Sequence, residues 1–141
     1  RDSICEAIGV FATFESIEGP NGLLINITGP DLGILIGRRG DTLDALQYLV
    51  NLTVQKYFTE RVRIILDVEG YRQRREETLI RLAKRLSDRV KRTGSKVILE
   101  PMNPQERRII HTALQDDQKV YTFSEGDEPF RKVVISPKGK Q

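Results

Sequence analysis

Cysteine, histidine and tryptophan are nearly or wholly missing from this chain of 141 residues, which has one Cys, one His and no Trp. A lone Cys5 excludes an internal disulfide and any cysteine-built zinc site. A lone His111 excludes His-pair metal motifs and leaves little for histidine-based catalysis. Aromatics are few, four Tyr and five Phe, so base stacking is not expected to dominate any binding. Phe11, Phe14, Tyr57 and Phe58 read as core, and Tyr121, Phe123 and Phe130 as ordinary strand residues. No apolar run approaches the ~18 residues of a membrane span, and no secretory signal pattern opens the chain. The first residue is Arg1, which reads as a piece of a longer protein. These absences point away from secreted, membrane-spanning and zinc-built proteins and towards a soluble cytosolic one.

What is present is a foldable and unevenly charged chain. At 38% hydrophobic and 30% charged residues it can build a core while keeping a wet surface. Its length suits one ordinary domain or two very small ones at roughly 100–200 residues per domain. Net charge is only +3, yet residues 71–96 carry ten basic and three acidic side chains, while residues 1–30 carry one and four. One 26-residue block therefore holds the whole positive excess, and a polyanion such as nucleic acid is the first partner to consider. The plainer reading is a solvated arginine-rich helix face.

Periodicity predicts a helix at residues 1–9, then strands over Val10–Glu18 and Leu23–Thr28, with Gly19-Pro20-Asn21-Gly22 as the turn. A short helix over Asp31–Ile36 begins at Pro30, where a missing N–H costs nothing. A longer one, capped by Asp41 or Thr42, runs to Tyr57 with Leu43, Leu46, Val50, Val54 and Tyr57 on one face. Val62–Val68 alternates as a strand. Beyond Gly70, Tyr71–Arg92 reads as a long helix with Leu79, Leu82, Ala83, Leu86 and Val90 inward. Arg74, Arg81, Arg85, Arg89 and Arg92 fall on a separate stripe of it. A strand over Lys96–Glu100, a helix over Pro104–Asp116, and strands over Val120–Ser124 and Phe130–Ile135 complete the order. The long helix joins the two halves.

Gly37-Arg38-Arg39-Gly40 lies between two predicted helices. Glycine at both ends permits a sharp turn, and without Cβ atoms the backbone can meet a phosphate closely. The next helix points free N–H groups at the loop, and Arg38 and Arg39 add two charged forks. Ile34 and Ile36, with Leu43, offer an apolar floor for unstacked bases. Neither a Walker A loop nor a dinucleotide fingerprint fits, because Asp41 stands where Walker A needs lysine. Farther on, Arg107 and His111 are four residues apart, one turn on one helical face. That spacing suits a clamp on one phosphate. It also suits a plain solvated helix.

Ile34-Leu35-Ile36-Gly37-Arg38-Arg39-Gly40 resembles the I-G-x-x-G core of KH domains, and the element order matches the type II topology α-β-β-α-α-β. Pro104-Gln105-Glu106-Arg107-Arg108-Ile109-Ile110-His111, with Leu99–Met102 and Glu128–Ile135, resembles the R-three-H domain. A KH half followed by an R-three-H half is similar to the bacterial Jag (SpoIIIJ-associated, KhpB/EloR) family. That family ordinarily carries a further N-terminal Jag domain and linker, whose residues are not among these 141.

The resemblance implies an α+β protein. It places a type II KH domain at residues 1–73 and a small R-three-H domain (helix, three-stranded sheet, second helix) at 74–138. The two are joined through the long helix, with a tail at 139–141. It implies a non-enzymatic cytoplasmic protein that binds single-stranded RNA and is linked to cell elongation and division. Single-stranded DNA stays open as a ligand, and a small KH protein as a partner. No cofactor, metal, small-molecule substrate or membrane insertion is implied. The implied RNA contacts are Gly37, Arg38, Arg39 and Gly40 in one half and Arg107 and His111 in the other, with Arg131 and Lys132 added from the last strand. Arg81, Arg85 and Arg89 are added from spacing alone. Competing readings are a protein-interaction scaffold working through the KH half, and a nuclease holding Mg²⁺ at Asp116-Asp117 or at the Glu125/Asp127/Glu128 turn.

Overall fold

A computed structural model describes residues 12–20, 22–58 and 62–139. The predicted first helix, Cys5, Val10 and Phe11 lie outside the described residues. The chain forms two compact units that divide between Arg74 and Arg75.

In the first unit, β1 (Thr13–Gly19) and β2 (Gly22–Thr28) form an antiparallel hairpin. Strand β3 (Ile64–Val68) lies parallel to β2 on its other side. Parallel neighbours need a crossover connection. Here it contains α1 (Gly33–Ile36), a 3-10 turn (Arg38–Gly40) and α2 (Asp41–Tyr57). Helix α1 is shorter than expected and starts three residues after Pro30, because Asp31 takes a left-handed backbone (φ 53°) that no helix continues. Leu43, Leu46, Val50 and Val54 of α2 pack with Ile27, Leu35, Leu66 and Val68. Tyr57 and Phe58, expected in the core, are instead 73% and 62% exposed. The apolar stripe ends at Val54, one turn before Tyr57, and the helix stops at Phe58, which is extended.

Strand β3 is an edge, and an open edge exposes unpaired backbone groups. Asn51 and Gln47 of α2, together with Arg72 just beyond β3, satisfy it. Asn51 Nδ2 donates to the Ile64 carbonyl at 2.8 Å while Asn51 Oδ1 accepts from the Ile64 N–H at 2.8 Å. Gln47 Oε1 accepts from the Leu66 N–H at 2.9 Å, and Arg72 Nε donates to the Leu66 carbonyl at 2.8 Å. Arg72 also pairs with Asp44 at 2.8 Å. These bonds fix α2 against the sheet and so fix where its N-terminus points.

Helix α3 (Tyr71–Thr93) begins in the first unit and supplies a wall of the second. The second unit adds β4 (Val97–Ile98), α4 (Pro104–Leu114), β5 (Val120–Glu125) and β6 (Lys132–Pro137). The sheet order is β4-β6-β5, antiparallel throughout. Leu79, Ala83 and Val90 of α3 and Ile110 and Leu114 of α4 meet Val120, Val133 and Ile135. Phe130, expected in the last strand, lies in the preceding turn and is 72% exposed. Asn103 caps α4, accepting from the Glu106 N–H at 2.8 Å, with Pro104 at the first helical position. Among the described residues no helix is long and apolar enough to cross a membrane.

Candidate nucleic-acid interface

In the first unit the Gly37–Gly40 loop is built on left-handed backbone. Gly37 has φ 70° and ψ −171°, Arg39 φ 55°, and Gly40 φ 81°. A Cβ on Gly37 would run into the Thr42 side chain, and one on Gly40 would lie 2.8 Å from the Tyr71 ring. Both glycines are therefore dictated by packing as well as by dihedral. Gly40, and not Asp41 or Thr42, is the N-cap of α2, with Asp41 already inside the first turn. Having no side chain, Gly40 leaves the helix end without a side-chain cap. Arg38 is exposed at this point, Arg39 half-buried. Ile34 is 57% exposed beside the loop, whereas Ile36 packs against the core. The arrangement offers an N–H-rich helix end, a cation and an apolar step in one place. Each of Gly37→Ala and Gly40→Ala is expected to destabilise the unit by about 1–3 kcal/mol, read as a lower urea midpoint. An unchanged midpoint would contradict the packing described.

In the second unit α4 carries Arg107 and His111 one turn apart, as its spacing dictates. Both are engaged internally. Arg107 is only 8% exposed; Nη1 donates to the Met102 carbonyl at 2.8 Å and Nη2 pairs with Glu128 at 2.8 Å. The His111 ring sits between two hydroxyls of β5, with Nδ1 2.6 Å from Thr122 Oγ1 and Nε2 2.9 Å from Ser124 Oγ. Burial, and next the Arg107 charge, holds the His111 imidazole below its ordinary value of 6.5. At neutral pH it is an uncharged hydrogen-bonding group. A cleft of about 350 Å³ at the β5 edge is lined by His111, Gln115, Tyr121 and Lys138, among others.

Unfolded, the imidazole takes up a proton near 6.5, and folded it does so only at lower pH. Below that ordinary value the unfolded chain binds more protons, so stability falls as pH drops through about 6.5 and below. Denaturation midpoints should show this step in the native sequence and lose it in His111→Gln. The same step in both proteins would contradict the assignment.

The remaining residues singled out from the sequence are dispersed. Arg131 Nη1 donates to the Gly126 carbonyl at 2.6 Å, which ties the β5–β6 turn together. Lys132 begins β6 opposite Glu125. Arg81, Arg85, Arg89 and Arg92 are exposed on α3. Arg74 of that stripe donates to the Glu69 carbonyl. Two of the five carboxylates considered for Mg²⁺, Asp117 and Glu128, have other work. Burial tends to raise the Asp117 carboxyl, but Lys91 at 2.6 Å, the Lys119 N–H and Ser87 outweigh it and hold it below its usual range. Glu128 pairs with Arg107. Sequence reasoning missed Thr122 and Ser124, and read Glu128 as a turn carboxylate and not as the partner of Arg107. Alternation from the buried Val120 places Thr122 and Ser124 towards α4, so those two were legible.

Residues 9–66 match the model of the KhpA/KhpB KH domain and residues 77–137 that of the R-three-H domain. The chain is 60% identical over 114 residues to RNA-binding protein KhpB of Clostridium symbiosum, covering 81% of this chain and 51% of that protein. It is 38% identical over 138 residues to RNA-binding protein KhpB of Bacillus subtilis, covering 96% of this chain and 66% of that one. The counterpart in Lactiplantibacillus plantarum is 37% identical, over 95% of this chain and 42% of its own length. The chain thus spans about half the length of the curated relatives it matches. With the G-x-x-G loop in one unit and the Arg–His helix in the other, it belongs to the Jag family, a KH domain of the KhpA/KhpB kind followed by an R-three-H domain.

Proposed function

We propose that this protein binds single-stranded RNA without acting on it chemically, using one site in each unit. The observation that carries the reading is the left-handed Gly37–Gly40 loop, which sets exposed Arg38 at the uncapped start of α2. Such a site grips a sugar–phosphate backbone and leaves Ile34 for an unstacked base. The relatives' name, RNA-binding protein, supports the same reading. In the second unit an RNA strand lies along the His111 cleft, with Lys138 from the end of the last strand beside it, and Arg107 holds the scaffold. Two weak sites on one strand reinforce each other through effective concentration. The family resemblance extends the reading to a cytoplasmic regulator of cell elongation and division. Filter binding of labelled single-stranded RNA, single-stranded DNA and duplex RNA tests it. Saturable single-strand binding that weakens with salt is expected, and duplex preference or no binding would overturn it.

A second reading, a scaffold that pairs with a small KH protein, has its own observation. Tyr48, Leu49 and Leu52 of α2 are large, apolar and exposed. Under that reading Leu49→Glu abolishes co-elution with a KH partner and leaves RNA affinity unchanged.

A further inference from the structure

Strand alternation sends Val120, Thr122 and Ser124 of β5 to one face and Tyr121, Phe123 and Glu125 to the other. The first set is occupied: Val120 is in the core, and Thr122 and Ser124 hold His111. The second set faces away from both helices. There the Tyr121 and Phe123 rings stack, with centroids 5.9 Å apart and planes tilted by 25°. Neither ring is core, since Tyr121 is 46% and Phe123 37% exposed. By register Phe123 lies opposite Val134 of β6, and Val134 opposite Ile98 of β4; Val134 itself is fully buried, so the solvent-facing apolar groups of this side are Tyr121, Phe123 and Ile98. Lys132, two residues before Val134, shares that face. Tyr121 also lines the cleft that His111 and Lys138 line.

Two stacked, half-exposed rings beside a lysine, on the open face of an antiparallel sheet, form the kind of surface on which unpaired bases stack. A protein partner of ordinary affinity needs a broader apolar area than two rings and Ile98, broken by Glu125, Lys132 and Ser136. Tyr121 borders the His111 cleft at the β5 edge, while its ring stacks on Phe123 on the opposite face of the strand. We infer that Tyr121 and Phe123 are a stacking platform for single-stranded bases, with Lys132 placed for the phosphate that follows. The inference rests on the RNA-binding reading and adds where the bases are held. It also reverses the expectation that these aromatics are structural.

The chain has no Trp, so Phe123→Trp makes the platform the sole tryptophan probe. Its fluorescence should be quenched saturably by a single-stranded oligoribonucleotide and not by an abasic oligomer of equal phosphate count. In the full chain, Tyr121→Ala/Phe123→Ala should lose RNA affinity by about tenfold or more, with the salt slope unchanged. Tyr121→Leu/Phe123→Leu, which keeps apolar bulk, should lose nearly as much. Circular dichroism of each variant checks that the unit still folds. Suppose both double variants bind like the native chain while Arg38→Asp does not. The platform is then overturned and the RNA reading stands. Absence of RNA binding by the native chain overturns both. Self-association that the alanine variant abolishes, with RNA affinity intact, assigns the face to a second copy and overturns the platform.

Discussion

Arg38→Asp/Arg39→Asp is expected to weaken binding of single-stranded RNA on the order of 100-fold at physiological salt. Each charge-assisted hydrogen bond to phosphate is worth about 1.5 kcal/mol, two such bonds are removed, and about 1.4 kcal/mol is tenfold in affinity. The salt slope should also flatten by roughly 1.4, since each neutralised phosphate contributes about 0.7. Folding should survive. Arg38 is exposed, and Arg39 sits at φ 55°, a region that aspartate enters more readily than most residues. Arg38→Asp alone should give the larger single effect, because Arg39 is half-buried. Fluorescence anisotropy across a salt series measures both quantities. An unchanged slope would mean that the loop touches no phosphate.

Arg107→Ala is expected to act first on stability. The guanidinium is buried and serves both the Met102 carbonyl and Glu128. Truncation leaves the Met102 carbonyl without that donor and empties the packed space of the side-chain stem. Glu128 is half-exposed, so water can take over its charge, and the destabilisation stays below that of a fully buried pair. About 2–3 kcal/mol follows from an unsatisfied buried acceptor plus the emptied space. For a unit of this size that is a fall in Tm of roughly 10–20 °C. His111→Gln, which can still bond to Thr122 and Ser124, should cost much less at neutral pH. Differential scanning calorimetry separates the two. If Arg107→Ala melts with the native chain, the buried ion pair is not holding this unit. The expected destabilisation matters for binding work, since weaker RNA binding by Arg107→Ala would report unfolding as readily as a missing phosphate partner.

Helical and strand periods made most of the fold legible. Leu79, Leu82, Ala83, Leu86 and Val90, and likewise Ile109, Ile110, Ala113 and Leu114, all pack where their spacing puts them. The period could not say where the α2 stripe leaves the core, because Tyr57 continues the spacing after the packing partners have run out. Its opposite face, with Tyr48, Leu49 and Leu52 outward, was hidden for the same reason. Glycine spacing marked the Gly37–Gly40 loop, but not that Thr42 and Tyr71 are the neighbours that forbid a Cβ. Spacing also paired Arg107 with His111. What each touches depends on Glu128 and on β5, residues brought in by tertiary structure. Tyr121 and Phe123 were assigned to the correct strand, yet which side of a small sheet stays open is set by where both helices pack.

Two sites, one in each unit, holding one strand is the central proposal. Affinity measured against oligoribonucleotides of increasing length tests it most directly, using the native chain, Arg38→Asp/Arg39→Asp and Tyr121→Ala/Phe123→Ala. For the native chain, affinity should rise sharply once the strand is long enough to occupy both sites, as effective concentration requires. Each variant should lose that rise and keep only single-site affinity. A native affinity that grows no faster than the number of binding registers, or a variant that retains the full rise, would contradict the account.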